Sequence, residues 1–303
     1  RVKQLQDQMT CNEWEPAVFI DTQKDETRSI EKVDAGKTRM FAAAPMDFII
    51  LFRIYFLGFI SCVMRNRIRN EVCVGIQAQS RDWDKLARYL LEPGQDIVAG
   101  DFSNYDGDLH PDIMKTICEL INEWYDDEWS QHRRIIFQSL CHSTHICEKF
   151  VYSLTHSQPS GNPGTAIINS IYNSIVCRLC YYQLEKENGL TGSVMHDRFN
   201  LHVRMASYGD DNLLSVGDGS KWFTMREIAR VMPLFGMTYT SEQKDGKLYD
   251  FKNLRDCFFL QRGFRFDEET GAWFGPLKQD SINERMNWMQ RVPNKEEVLQ
   301  LNM

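Results

Sequence analysis

The stretch Ala206–Val216 reads ASYGDDNLLSV, with two adjacent carboxylates, Asp210 and Asp211, between apolar runs and Gly209 at the bend. Neighbouring anions repel each other and resist burial. The arrangement therefore asks for either an ordinary exposed turn or a bound cation. On either side, NLHVRMAS (Asn200–Ser207) and NLLSVGD (Asn212–Asp218) read as strands, which makes YGDD the turn of a hairpin. Upstream, DIVAGDF (Asp96–Phe102) is a compact apolar strand that stops at Asp101 and Phe102. A sheet that laid this strand end beside the hairpin would gather Asp101, Asp210 and Asp211. Such a trio is destabilising unless hard cations neutralise it, and Mg²⁺ prefers carboxylate oxygens supplemented by substrate phosphates. Two such ions, roughly 4 Å apart, clamp the attacking and leaving oxygens of a phosphoryl transfer. For the tripeptide GDD alone, a tight turn remains the plainer reading.

The chain has 303 residues, 43% apolar and 25% charged, values of a folded globular protein with a sizeable core. Its net charge of −7 argues weakly against a nucleic-acid partner, unless the positive charge is concentrated along a channel. The nine cysteines are odd in number and scattered, with no signal peptide ahead of them, so a reducing, intracellular setting is expected. Cys177 and Cys180 form one CxxC, and Cys141, His142, His145 and Cys147 cluster nearby. Buried apolar thiols are the default reading over zinc at both places. The most apolar segment, Ala42–Met64, is interrupted by Pro45, Asp47 and Arg53. Its apolar pieces read as too short to cross a bilayer, so a buried core helix is expected and no transmembrane segment. The chain opens without an initiator methionine, as a processed product or a fragment would.

The first forty residues read as short strand-like runs among charges, and residues 111–150 as two helices. The loop THSQPSGNPGT leads into a long helix with Ile167, Ile171, Ile175 and Leu179 on an apolar face. Lys221–Phe235 suits an amphipathic helix closed by Gly236, and CFFLQRGFRFD reads as strand, turn and strand. The order predicts an α+β layer, an antiparallel sheet backed by helices.

Further segments follow one another in a fixed order, and together they resemble the RNA-dependent RNA polymerases of picornavirus-like positive-strand RNA viruses, nearest the dicistrovirus and iflavirus branch. DFSNYD matches that family's first palm motif, SGNPGTAIIN the second and YGDD the third. GMTYTSEQK resembles the fourth, ending in Lys244, and FLQRGF the fifth, the primer-gripping hairpin, with Gln261 where a lysine is commoner. KDETRSIEKVDAGKTR (Lys24–Arg39) resembles the finger motif that escorts nucleoside triphosphates. The resemblance implies a right-hand polymerase with fingers over residues 1–94, a palm over 95–266 with inserted finger segments, and the start of a thumb over 267–303.

It also implies roles for single residues. Asp101, Asp210 and Asp211 would hold the catalytic Mg²⁺ ions, with Mn²⁺ able to substitute, and Lys244 would act as general acid toward pyrophosphate. Asp106, Ser160, Thr165 and Asn169 would read the ribose of the incoming nucleotide, with Gly161 also in the nucleotide-binding set. Lys24, Arg28, Lys32, Lys37 and Arg39 would neutralise its phosphates. Gln261, Arg262 and Gly164 would meet primer or template, with Gly161 and Gly164 giving the loop freedom to approach the template backbone. Arg65, Arg67 and Arg69 in RNRIRN could line the template path. The implied partners are RNA template and primer, ribonucleoside triphosphates, a protein primer and other viral replication proteins. The implied setting is the host cytoplasm, on virus-induced replication membranes.

Two rivals stand beside this reading. A reverse transcriptase shares the palm and the paired aspartates, but Asp106, Thr165 and Asn169 together favour selection for a 2′-hydroxyl. A truncated core that binds RNA or partners without activity is the other, since the family usually carries longer fingers and a fuller thumb.

Overall fold

The computed structural model describes residues 1–26, 28–190, 195–242 and 247–287. The elements run α1 (Val2–Thr10), β1 (Val18–Gln23), α2 (Ile30–Asp34), β2 (Met40–Ala43), α3 (Met46–Arg65), α4 (Asp82–Leu90), β3 (Asp96–Ser103), α5 (Pro111–Tyr125) and α6 (Ser130–Cys141). They continue β4 (Thr144–Cys147), β5 (Phe150–Ser153), α7 (Thr165–Glu187), α8 (Met195–His202), β6 (Val203–Tyr208), β7 (Asp211–Val216), α9 (Met225–Val231), β8 (Thr238–Ser241), β9 (Arg265–Asp267), β10 (Ala272–Phe274) and α10 (Gln279–Asn287).

The antiparallel sheet predicted from the sequence is present, in the order β6-β7-β3-β8. Its central strand β3 is buried on both faces, which is why Ile97, Val98 and Ala99 read as a continuous apolar run rather than an alternation. Val98, Phe102, Val203, Met205, Leu214 and Val216 face the helices α5, α7 and α9 in one core. Ile97, Ala99, Ala206 and Leu213 face the other way, onto Trp83 and Leu86 of α4 and onto Leu254, Cys257, Phe259 and Phe264. Strand alternation then puts Asp101 and Asp211, at the end of the sheet, on the α4 side.

Each helix has a legible local cause. His110 caps α5, its ring nitrogen accepting from the Asp112 N–H, Pro111 occupies the first turn, and Asp126 closes the helix in the left-handed conformation. Helix α7 buries Ile167, Ile168, Tyr172, Val176, Cys177 and Cys180, so the CxxC cysteines lie one turn apart in a packed core.

Several sequence expectations are corrected. The run read as one strand from Asn200 begins as α8, and the strand starts at Val203. Residues 2–10 form a helix rather than a strand-like run, packed through Leu5 and Met9. The tail of 111–150 forms a hairpin, β4 and β5, turned at Glu148 with φ +52. It joins a second sheet, ordered β2-β1-β4-β5 with β1 and β4 parallel. The helix expected over Lys221–Phe235 is confined to α9 with short 3₁₀ turns at Asp218–Ser220 and Met232–Phe235; Gly236 closes it at φ +75 as expected. In CFFLQRGFRFD, Phe259 and Arg262 make a single bridge around a tight turn, and the following strand β9 pairs with β10 instead.

Helix α3 is 20 residues long and not interrupted, and by length and composition alone it could cross a membrane, contrary to the reading of its apolar pieces as too short. Phe48, Leu51, Phe52, Tyr55 and Phe56 are buried, whereas Met46, Ile50, Ile54 and Leu57 form an exposed stripe. It is therefore a core helix on one side only.

Candidate active site

The aspartate pair sits where the sequence placed it. Strands β6 and β7 pair from Val203↔Val216 to Tyr208↔Asp211, leaving Gly209 and Asp210 as a two-residue link. Gly209 has φ +64, the left-handed conformation that such a tight hairpin link requires at its first position. The turn is held from behind by the long helix. Ser170 Oγ accepts from the Gly209 N–H at 2.8 Å, and Asn173 Nδ2 donates to the carbonyls of Gly209 (3.0 Å) and Asp210 (3.2 Å).

Asp101 comes alongside through register. Gly100 pairs with Asn212, so Asp101 lies next to Asp211 on the adjoining strand. The Asp211 carboxyl is pushed up to about 7, first by burial and then by the charges of Asp210, Asp101 and Glu242, against the pull of a backbone donor, the Leu260 N–H at 2.7 Å. Leu260 and Gln261 both adopt positive φ (+52 and +60), so their turn reaches the aspartates through its own backbone. Among the described residues no set of three or more His, Cys, Asp or Glu forms a closed metal cage. The donor set nonetheless fits hard cations: carboxylates crowded at one strand end, whose mutual repulsion a bound cation would relieve.

Asp106 lies in a single 3₁₀ turn, Tyr105–Gly107, after Asn104 at φ +52. It accepts from Asn169 Nδ2 at 2.7 Å, while Tyr105 O–H donates to the Asn169 carbonyl at 2.7 Å. Burial pushes the Asp106 carboxyl up; Asn169, and the nearby charges of Lys24 and Arg39, pull it down. The Asn169 Oδ1 is buried and has no hydrogen-bond partner, leaving an acceptor open beside the Asp106 carboxylate.

The remaining predicted residues divide. Glu26 pairs with Arg28 at 2.7 Å and with Arg39 at 3.7 Å, so part of that cationic charge is already spent. Lys32 and Lys37 are exposed, at the far end of the β1–β2 connection. Ser160 Oγ accepts from the Ala42 N–H at 3.4 Å, and Thr165 Oγ1 donates to the Asn162 carbonyl at 2.8 Å; both hydroxyls brace the loop. At Gly161 and Gly164 the expectation corrected is the freedom to flex. A Cβ on Gly161 would meet the Ala42 carbonyl at 2.1 Å, and one on Gly164 the Phe52 ring at 2.5 Å, so close packing demands both glycines. Arg262 donates to the Gly275 carbonyl at 2.6 Å, away from the turn tip, while Gln261 is exposed at it. Arg67 is bound to Asp82 at 2.8 Å rather than open to a template. His145, grouped in the sequence with cysteines, is buried and bonded to Asp21 and Ser143 instead. Lys244 lies outside the described residues.

Sequence reasoning missed Ser170, Asn173, Asn212 and Tyr239, which support the turn. The signal was present in NSIYNS (Asn169–Ser174), where small polar residues recur at helical spacing on a face otherwise apolar. It also missed Glu71–Cys73, which pairs with Ser207 and covers the outer edge of β6.

An antiparallel sheet backed by helices, with aspartates at a hairpin turn and at the end of the neighbouring strand, defines the palm of a right-hand polymerase. The solved Sicinivirus 3Dpol RNA-dependent RNA polymerase superposes on it with a TM-score of 0.78 at 24% identity, over 95% of this chain and 59% of that one. The family model for viral RNA-dependent RNA polymerase matches residues 3–302. The chain belongs to the viral RNA-dependent RNA polymerase family. It is 44% identical over 90% of its length to the replicase polyprotein of Acute bee paralysis virus, and 41% identical over its whole length to that of Drosophila C virus. The expected dicistrovirus-like kinship holds. The chain spans 15% and 18% of the length of those two polyproteins.

Proposed function

We propose that this chain carries the catalytic palm of an RNA-directed RNA polymerase, extending a primer from ribonucleoside triphosphates on an RNA template. The observation that carries the reading is the meeting of Asp101, Asp210 and Asp211 at one end of the sheet, beside the Asp106–Asn169 pair. Asp101 and Asp210 would hold Mg²⁺, with Asp211 assisting and Mn²⁺ acceptable. When bound, such ions activate the primer 3′-hydroxyl and stabilise the pyrophosphate leaving group.

The protein's own residues then position the substrate. Lys24 and Arg39, close enough to act on the Asp106 charge, would meet the triphosphate, with Arg28, Lys32 and Lys37 along the approach. Asp106 and the open Asn169 Oδ1 would accept from ribose hydroxyls, so that a deoxyribose leaves a buried acceptor unpaired. Gln261 would touch the primer. Lys244, by its motif, would protonate pyrophosphate. Fingers over 1–94, palm over 95–266 and a partial thumb beyond remain our division of the chain, and a protein primer, other replication proteins and a host membrane site our expectation for its setting.

Primer extension on a homopolymeric RNA template with Mg²⁺ tests this, wild type beside Asp210→Asn. Extension by the wild type, reduced at least about a hundredfold in the variant, is the expected result, since a metal-holding carboxylate is lost. Extension with deoxyribonucleotides as fast as with ribonucleotides would favour a reverse transcriptase. A second reading, an RNA-binding core without activity, draws on the 59% coverage of the solved relative. Binding of primed template without extension would favour it.

A further inference from the structure

Behind the aspartate turn, a tyrosine hydroxyl reaches across a whole strand. Tyr239 sits on β8, where it pairs with Phe102 of β3, yet its O–H donates to Asn212 Oδ1 on β7 at 2.7 Å. Strands β8 and β7 flank β3, so the ring must pass over β3 to make this bond. It can do so only because the residue beneath is Gly100, where a Cβ would lie 1.8 Å from the Tyr239 hydroxyl oxygen. Asn212 hands the contact on: its Nδ2 donates to the Asp210 carbonyl at 3.3 Å, in the turn itself.

Packing alone does not ask for these polar groups. Asn212 lies on the helix-facing side of β7, in line with Leu214 and Val216, and Tyr239 and Asn212 are both buried. A phenylalanine would fill nearly the same volume as the tyrosine, and two apolar partners cost little where two polar ones are exchanged together. A buried amide and hydroxyl, matched to each other and to a vacated glycine position, carry directional information that an apolar pair cannot.

We propose that Tyr239 is a positioning residue for the aspartate turn: through Asn212 its hydroxyl fixes the Asp210 carbonyl and ties strand β8 to the hairpin. Helix α7 grips the same carbonyl through Asn173, so the turn is held by two elements at once. The strand that leads toward Lys244 is thereby joined to the carboxylates it is expected to serve. Only the metal arm of the test below depends on the proposed function.

The test compares wild type, Tyr239→Phe, Asn212→Val and the double variant by amide hydrogen exchange. Each single change should speed exchange at Gly209–Asn212 by about tenfold, the worth of one buried hydrogen bond. Exchange in the β3 amides of Ile97–Ala99 should stay unchanged. The double variant should be no faster than either single one, because both remove the same link. Mn²⁺ binding, followed by electron paramagnetic resonance, should weaken in the variants by several-fold. Wild-type exchange at the turn, a uniform acceleration that tracks a fall in melting temperature, or additive effects in the double variant would overturn the proposal. Either single variant suffices if the other fails to fold. A wild type that binds no Mn²⁺ overturns the metal-holding reading, and the exchange comparison still decides for or against Tyr239.

Discussion

At the residue scale, the carboxylates are not equivalent, and their differences yield two predictions. Asp211 is buried among other acids, and its carboxyl is pushed up to about 7 from an ordinary 3.8. A group whose folded pKa is raised contributes stability at low pH and loses it as pH climbs through the folded value. Without divalent ions, the melting temperature should therefore fall between about pH 4 and pH 7, the window between the ordinary and the folded value. Added Mg²⁺ should restore more stability at the upper end than at the lower, since it favours the ionised form. Asp211→Asn should flatten the metal-free slope; thermal melts across pH, with and without Mg²⁺, check both signs. Asn169 offers a sharper chemical test. Its amide donates to Asp106 and its oxygen is an unspent buried acceptor. Asn169→Ala should narrow the preference for ribo- over deoxyribonucleotides by about tenfold, the worth of one lost hydrogen-bond readout. Competitive incorporation assays measure that ratio directly.

At the scale of elements, the loop before α7 is rigid where the sequence suggested freedom. Gly161 forms a parallel bridge with Ala43 and donates its N–H to the Ala42 carbonyl at 3.0 Å. Backbone cannot yield as a flexible side-chain tip can, so Gly161→Ala should cost about 2 kcal/mol or more, as overpacking against a fixed neighbour does. Denaturant unfolding of the variant reads this. The pairing that places Gly161 was illegible locally, because strand β2 is short and lies far away in the chain. A similar reason hid the β4–β5 hairpin: four-residue strands carry too little alternation to separate them from a helix end. Helix α4 went unread in the sequence, and so did its task. Trp83 packs on Phe259 and Phe264 and donates Nε1–H to the Gly263 carbonyl at 3.2 Å, so α4 seats the Phe259–Phe264 segment that bears the Leu260 amide. Trp83→Ala should cost about 3–5 kcal/mol, the usual loss for a large aromatic in a core, and should loosen that segment first.

At the scale of the whole molecule, the net charge of −7 and the expected RNA partner are reconciled by distribution. Glu119, Glu71, Glu92 and Glu187 are paired with arginines, whereas Lys32 and Lys37 stay exposed on the β1–β2 connection that we propose meets the nucleotide. Affinity for a primed template should accordingly fall by about tenfold or more between 50 and 200 mM salt, because counterions released into more concentrated salt gain less entropy. Fluorescence anisotropy at graded salt measures the slope; a flat response would mean that RNA is not held through its phosphates.

The sequence by itself determined the family and marked the candidate site: Asp101, Asp210, Asp211, Asp106 and Asn169 stood out because each sits in a short segment whose residue types and order match a motif of that family. It also determined the central sheet, since hairpin and strand signals there are local. Tertiary structure decided what supports that chemistry. That Gly100 makes room for Tyr239, that Asn173 and Asn212 share one turn carbonyl, and that the Leu260 amide binds Asp211 all depend on residues distant in the chain meeting at packing distance. Periodicity records which face of an element is buried, but not which partner lies against it.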